Sequence, residues 1–271
     1  MRALRFASPL ALGLALLACS PEDTPGDEEA ETDTDTGAAQ TCLDTDTPGE
    51  DIILASDADI EEAALSGCVA EHVIVSGGGI TSLAGLSELR QVGILDIRYN
   101  PFLDSLAGLE QLERVDQLIL TGNNLLIELP EFPDLALGRA TINANDGLTD
   151  LGSFPATTSM SRLEIDSNPA LTDLSGLESL TGVSGNVAIT NNAMIVDFTG
   201  FEAFTAIGGD LEIIDNAELD TLEGWGLVSV GGDVRVSSNP KLSECLAQAF
   251  IAMLEVGGAK IESSNESGLC D

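Results

Sequence analysis

Seven asparagines, Asn100, Asn123, Asn145, Asn168, Asn192, Asn216 and Asn239, follow one another at steps of 23, 22, 23, 24, 24 and 23 residues. A fixed period in this range is the signature of a stacked repeat. Each asparagine sits in one frame, apolar-x-apolar-x-x-Asn-x-x-apolar-x-x-apolar. All seven copies fill the four apolar positions, although only 44% of the chain is hydrophobic. One repeat alone exposes too much apolar surface to fold, so neighbours must stack. With parallel strands about 4.8 Å apart, roughly eight to ten coils make a rod about 40 to 50 Å long.

A single coil can be read physically. In Leu163-Glu164-Ile165-Asp166 the alternation turns Leu163 and Ile165 inward and the acids outward, the period of a half-buried strand. Asn168 then turns the chain, and stacked copies of its amide predict a ladder along the axis. Leu171, Leu174, Leu177, Leu180 and Val183 follow at steps of three, which fits short turns better than a sustained helix. Gly208-Gly209-Asp210 and Gly231-Gly232-Asp233 lead into successive strands, where glycine lets the backbone bend. The spacing predicts a cap over about 42–68, with Ser56 and Asp59 starting a helix whose apolar face is Ile60, Ala63, Ala64 and Leu65. A second cap is expected over about 243–270. There Ser243 is the N-cap, Leu246, Phe250, Met253 and Leu254 form one helical face, and Gly257-Gly258 stop the helix.

The stretches Gly209 to Leu219 and Asn168 to Leu177 resemble the receptor L-domain family, a relative of leucine-rich repeats, and the resemblance covers roughly residues 42–270. It implies a mainly β repeat solenoid, a right-handed parallel β-helix of leucine-rich-repeat-like build with short capping helices. It also implies ligand binding on the sheet face. The next leucine comes three residues after Asn rather than the two of the common leucine-rich pattern. No transmembrane or kinase segment follows, so growth-factor reception and signalling do not carry over.

The chain opens with basic Met1 to Arg5, an apolar run from Phe6 to Leu17, and Leu16-Leu17-Ala18-Cys19. A run this short is a poor membrane span, which needs about 20 residues, and reads as a secretory leader over 1–18. The segment resembles a bacterial lipoprotein signal with its lipobox. That resemblance implies lipid on Cys19 and, because Ser20 rather than Asp follows, sorting to the outer membrane of a Gram-negative cell, with possible exposure at the cell surface. Residues 19–41 are expected to be a disordered tether, since Ser20 to Thr41 hold eight acidic residues, no basic ones and no aromatics. The folded part is then 42–271.

Removing the leader removes two of ten basic residues and no acidic ones, leaving 46 Asp plus Glu against eight Lys plus Arg. Such a field repels phosphate backbones and anionic lipid, so no nucleic-acid partner is expected and the membrane is reached through the N-terminal lipid. With Cys19 assigned to lipid, Cys42, Cys68, Cys245 and Cys270 remain, an even number in a disulfide-permissive setting. Three pairings are open. Because two cysteines flank the start of the repeats and two the end, Cys42 with Cys68 and Cys245 with Cys270 is favoured, each bond contributing about 3 to 4 kcal/mol in the chain-entropy model.

Chemistry is sparser. The cysteines lack CxxC spacing and His72 is the single histidine, so no metal site or cofactor is expected. Asp33, Asp35, Asp44 and Asp46 lack the EF-hand spacing, and the glycine-aspartate pairs lack the nine-residue period of calcium-binding repeats. Gly77 to Gly79 are followed by no Lys-Ser/Thr pair and are not a phosphate loop. His72 has no nucleophile-elbow sequence near it and reads as a structural or surface residue. The asparagines are turn residues and Trp225 reads as core. What remains is the outward strand face, Asp96, Arg98, Thr121, Thr141, Asn143, Glu164, Asp166, Thr190, Glu212, Arg235 and Ser237, expected as a continuous polar strip. Its periodicity suits an extended polysaccharide or protein segment. The function expected is therefore non-catalytic binding or adhesion by a lipid-anchored envelope protein. Two alternatives are a carbohydrate-active enzyme using a carboxylate pair such as Glu164 with Asp166, and a purely structural envelope protein.

Overall fold

The computed structural model describes residues 51–63, 65–172 and 174–266, without side-chain description for 66–71. The leader, the tether, Ala64, Cys19, Cys42, Cys270 and the side chain of Cys68 lie outside the described part, and so do the readings attached to them. In chain order the elements are β1 (Ile52–Leu54), α1 (Asp57–Ala63), β2 (Ser66–Val75), β3 (Glu88–Arg98), β4 (Arg114–Thr121), β5 (Ala136–Leu137), β6 (Arg139–Asn143), β7 (Ser159–Met160), β8 (Arg162–Asp166) and β9 (Gly182–Val183). They continue with β10 (Val187–Thr190), β11 (Ala206–Ile207), β12 (Leu211–Ile214), β13 (Ser229–Val230), β14 (Val234–Ser237), α2 (Glu244–Met253), β15 (Glu255–Val256) and β16 (Lys260–Ser263). The protein is mainly β.

Its strands form two parallel sheets. The first has 11 strands, in the order β1-β2-β3-β4-β6-β8-β10-β12-β14-β16, with β5 paired to β4; the second has five, β15-β13-β11-β9-β7. β4 is long enough to pair with two successive strands of this sheet, Arg114 and Val115 with β5 and Leu118 to Thr121 with β6. A break of one residue separates β5 from β6. Gly138 marks the break, since a Cβ there would lie 2.5 Å from the Asp116 carbonyl oxygen. In the first sheet Leu163, Val187, Leu211 and Val234 stand in register, as do Ile165, Ile189, Ile213 and Val236. All eight are buried in one continuous apolar core.

The asparagines are the polar part of that core. All seven have zero exposure. The Asn145 N–H and its Nδ2 both donate to Asn168 Oδ1, at 3.1 and 3.2 Å. Asn168 Nδ2 in turn donates to the carbonyls of Ile142 and Asp166, each at 3.0 Å, and to Asn192 Oδ1 at 3.3 Å. One face of the pocket thus offers N–H groups and the other carbonyls. Only a short side chain that donates and accepts satisfies both: aspartate lacks the donor and leucine lacks both. The residue before each asparagine is left-handed, with φ from 53° at Ala144 to 69° at Gly122. That turn aims its N–H at the next strand, as Ser167 to the Thr190 carbonyl at 3.0 Å.

The ladder is longer at both ends than the sequence interval indicates. Asn265, 26 residues after Asn239, accepts from its N–H at 3.2 Å and donates to the Val236 carbonyl at 3.1 Å. At the other end Gly77 takes the asparagine's place and its N–H donates to Asn100 Oδ1 at 2.9 Å. The steps of three after Asn168 are short turns: Leu171, Leu177 and Leu180 N–H groups donate to the carbonyls three residues back. A single 3-10 turn covers Ser175–Leu177.

At the N-terminal end Ser56 and Asp59 start the helix as expected: Ser56 Oγ accepts from the Asp59 N–H at 3.2 Å, and Asp59 Oδ2 reaches one residue beyond the cap to the Ala55 N–H at 3.0 Å. Ile60 and Leu65 are buried beneath it. Asp57 ties α1 to the following turn, accepting from the Thr81 N–H at 2.8 Å, its hydroxyl at 2.7 Å and the Ser82 N–H at 3.3 Å. At the other end Ser243 caps α2, its Oγ accepting from the Cys245 N–H at 3.2 Å. The face of α2 differs from the one expected. Ala247, Phe250 and Ile251 are buried, whereas Leu246 and Met253 are exposed. The core also receives Leu254, which is extended rather than helical. Gly257-Gly258 do not stop the helix. It ends at Met253, where Lys260 Nζ donates to the Ile251 and Leu254 carbonyls at 2.9 and 3.2 Å, a cation on free C-terminal carbonyls.

Two outcomes follow. Asn168→Ala removes donors and acceptors that no water can replace, and should cost about 2 to 4 kcal/mol in urea unfolding; Asn265→Ala, at the half-open end, should cost distinctly less. A ladder position indifferent to alanine would contradict the accounting. The three donors facing Asp57, the Thr81 N–H first, hold its carboxyl below the ordinary 3.8. The folded form thus binds the proton less readily than the unfolded one. The contribution is complete above the unfolded value and is lost as pH falls through the folded one. Amide-exchange protection at Thr81 and Ser82 should fall on that acid side, and Asp57→Asn should flatten the dependence.

Candidate functional site

The outward face of the first sheet carries two rows. Register places Asp96, Ile119, Thr141, Glu164, Ala188, Glu212 and Arg235 in one, and Arg98, Thr121, Asn143, Asp166, Thr190, Ile214 and Ser237 in the other. The residues expected on this face do line up. The strip is not continuously polar, however, because Ile119, Ala188 and Ile214 interrupt it. Nor is all of it accessible: Asp96 and Ser237 are each only 2% exposed. Thr141, Asn143, Glu164 and Asp166 are half-buried, and Glu212 and Arg235 stand opposite each other, both exposed.

Several of these charges already have partners. Arg98 lies 3.2 Å from Asp96 and Arg162 3.1 Å from Glu164. Asp166 accepts from Ser167 Oγ at 3.0 Å, from Asn191 Nδ2 at 2.8 Å and from the Thr190 hydroxyl. Its carboxylate therefore bridges two repeats. His72 sits between Asp51 and Asp96, at 3.5 and 3.6 Å, and its Nε2 has no hydrogen-bond partner. This places His72 between the residue before β1 and β3 at the N-terminal edge, a structural position.

The bend between the two sheets holds a groove of about 1120 Å³. Small residues line it, Ser159, Ser161, Gly182, Ser184 and Ala206 among them, with Asp116 and Arg139 toward one end and Glu255 toward the other. The glycine-aspartate pairs belong to the same bend and have a use that spacing alone does not disclose. Asn186 Oδ1 accepts from the Asp210 N–H at 3.0 Å, Asp210 Oδ1 from the Asp233 N–H at 2.8 Å, and Asp233 Oδ1 from the Ala259 N–H at 2.7 Å. Each carboxylate latches one repeat to the next. The glycines make room for it, since a Cβ on Gly232 would lie 2.1 Å from Asp210 Oδ1.

Among the described residues no group of three or more His, Cys, Asp or Glu side chains could hold a metal ion. Among them also, no helix is long and apolar enough to cross a membrane. Trp225 packs among Phe198, Phe201, Phe204 and Phe250 at centroid distances of 4.5 to 6.1 Å, so its ring belongs to the core. Cys245 is disulfide-bonded, and Cys270, the partner favoured for it, lies outside the described residues.

Comparison of the chain with protein-family models, with curated proteins and with solved structures finds no match.

The latch predicts a contrast between two glycines. Gly232→Ala forces the Asp210 carboxylate off its N–H and should cost about 1 to 3 kcal/mol. Gly78→Ala meets nothing within 4 Å and should be neutral or stabilise by up to about 1 kcal/mol. Thermal melts of the two variants, side by side, decide it.

Proposed function

We propose that this chain is a lipid-anchored cell-envelope protein whose rigid, right-handed β-solenoid of receptor L-domain-like build binds a protein or glycan partner without catalysis. The observation that carries the reading is the ten-strand parallel line of the first sheet, which repeats outward side chains at one strand spacing over roughly 40 Å. Such a surface matches an extended partner better than a compact substrate. Asp166 engaged by three donors and Glu164 by Arg162 also favour binding over hydrolysis, because a carboxylate pair for glycoside cleavage needs one member held protonated. The lipobox at Cys19, the acidic segment 19–41, and the pairings Cys42 with Cys68 and Cys245 with Cys270 supply the envelope setting. They suit an outer-membrane anchor with the folded part held away from the lipid.

Mass spectrometry of the mature N terminus tests the anchor: a diacylated or triacylated Cys19 is expected, and an unmodified Cys19 overturns it. For the face, a glycan and protein array probed with the mature chain should yield a ligand. Its affinity should drop about tenfold in an Asn143→Ala, Glu164→Ala, Arg235→Ala triple variant whose melting curve is unchanged. Undiminished binding by that variant removes the strip from the reading.

A further inference from the structure

The corner that follows the asparagine ladder is polar or small in four repeats but not in three: the adjacent pair after Asn100 and Asn123, and the one after Asn192, which carries Met194 and Val196. Tyr99, Phe102, Leu125 and Ile127 are 64%, 58%, 50% and 57% exposed. Phe102 and Leu125 each stand two residues after a ladder asparagine, Asn100 and Asn123, whose side chains are hydrogen-bonded to each other at 3.0 Å. They are therefore neighbours about one strand spacing apart. Position for position, four repeats carry Gly147, Ala170, Glu218 and Lys241 there, and Thr149 and Thr172 stand where Ile127 does; the repeat after Asn192 carries Met194 and Val196, but with Asn191 in the place of Tyr99. Nothing in the stacking needs large apolar groups at these places.

Tyr99 adds a second observation. Its φ is 54°, in a region where seven repeats place Gly, Ala, Ser, Asn or Asp. A bulky side chain there is an outlier, and strain of this kind gathers at functional positions. The ring lies against Gly122, where a Cβ would come within 2.7 Å of Tyr99 Cδ1. The neighbouring repeat thus leaves room for the ring only because Gly122 has no side chain.

We propose that Tyr99, Phe102, Leu125 and Ile127 form a docking site for a basic, amphipathic polypeptide segment, one with apolar anchors flanked by Lys or Arg. This rests on the binding reading and names a partner class and a place for it. The apolar corner is bordered by exposed Asp104, Glu128 and Asp146, and the one cation in segments 98–104 and 121–128, Arg98, is paired with Asp96. A net charge of −36 opposes docking of a second copy and draws a cationic partner. Half of the patch is aliphatic and offers no hydrogen bonds to sugar hydroxyls, which favours peptide side chains over a glycan.

The variant Tyr99→Ser, Phe102→Ala, Leu125→Ala, Ile127→Thr uses only residues that other repeats carry at those positions, so the fold should persist, as circular dichroism and melting will report. Met194→Ala with Val196→Thr alters the other exposed apolar corner and serves as the control. The probes are a Leu/Lys amphipathic peptide, its Leu/Glu counterpart and an oligosaccharide panel, titrated against the mature chain at about 0.15 M salt. The Leu/Lys peptide should bind the parent and the control alike, at least about tenfold more weakly to the corner variant, and the Leu/Glu peptide should not bind. Equal affinity for parent and corner variant, equal binding of both peptides, or an oligosaccharide whose binding the corner variant loses, each overturns the site or its partner class while leaving a binding function standing. A parent chain that binds neither peptide nor any oligosaccharide overturns the site and weighs against the binding function with it.

Discussion

One buried amide per repeat sets the geometry of everything else in this protein. Each asparagine accepts from the backbone N–H of the preceding ladder residue and donates to a carbonyl of that same preceding repeat, as Asn216 does to Ile189 at 2.9 Å. Desolvating an amide costs several kcal/mol in an apolar medium unless both of its ends are matched, so the stack tolerates neither a shifted register nor a different side chain at that point. The match also explains the left-handed residue before it. Non-glycine side chains there cost about 1 to 2 kcal/mol each, and they persist in seven places because the turn delivers an N–H to the next strand and the amide into the ladder together.

The opposite bend obeys a complementary rule. In the asparagine ladder a backbone N–H donates to a side chain of the following repeat, as Asn145 to Asn168. In the Asn186, Asp210 and Asp233 latch a backbone N–H donates to a side chain of the preceding repeat, as Asp233 to Asp210. The two ladders run with opposite polarity, so an interior repeat with both is tied to each neighbour at both bends. Their environments differ. The amides are dry, whereas the latching acids, Asp210 half-buried and Asp233 exposed, reach solvent and their bonds compete with water, which makes the asparagine bend the stiffer of the two.

Much of this was legible in the interval of the asparagines and the apolar frame around them. Both are consequences of stacking, and stacking writes itself into every copy. Reading failed where the copies differ. Asn265 escaped notice because α2 and its return widen the last step to 26 residues. The face of α2 differs from the expected one because Leu246 and Met253 are apolar yet turned outward, while the core takes Ala247 and Ile251 beside Phe250, whose ring packs on Trp225. On the candidate face, alternation identified the outward positions correctly, but choosing only polar residues hid Ile119, Ala188 and Ile214, whose outward direction is fixed by pleat and not by polarity. The burial of Asp96, beside His72 of the neighbouring strand and Arg98 of its own, is set by contacts that no local pattern encodes.

Stacking also divides the residues into those it constrains and those it leaves free, and the division bears on recognition. Inward strand positions, ladder amides and latch glycines have no latitude. Outward strand positions and the residues two and four after each asparagine vary from Gly147 to Phe102 and from Thr149 to Ile127 without disturbing the frame. Departures from small or polar side chains at these free positions therefore need a cause other than folding. In a chain carrying 46 acidic residues, solubility favours still more charge there, yet one corner concentrates two of the most exposed aromatics and two aliphatic side chains. The chain also accepts a left-handed Tyr99 at the start of that corner. Water gains nothing from that arrangement, whereas a partner bringing apolar side chains would bury the patch and one bringing cations would answer the surrounding field.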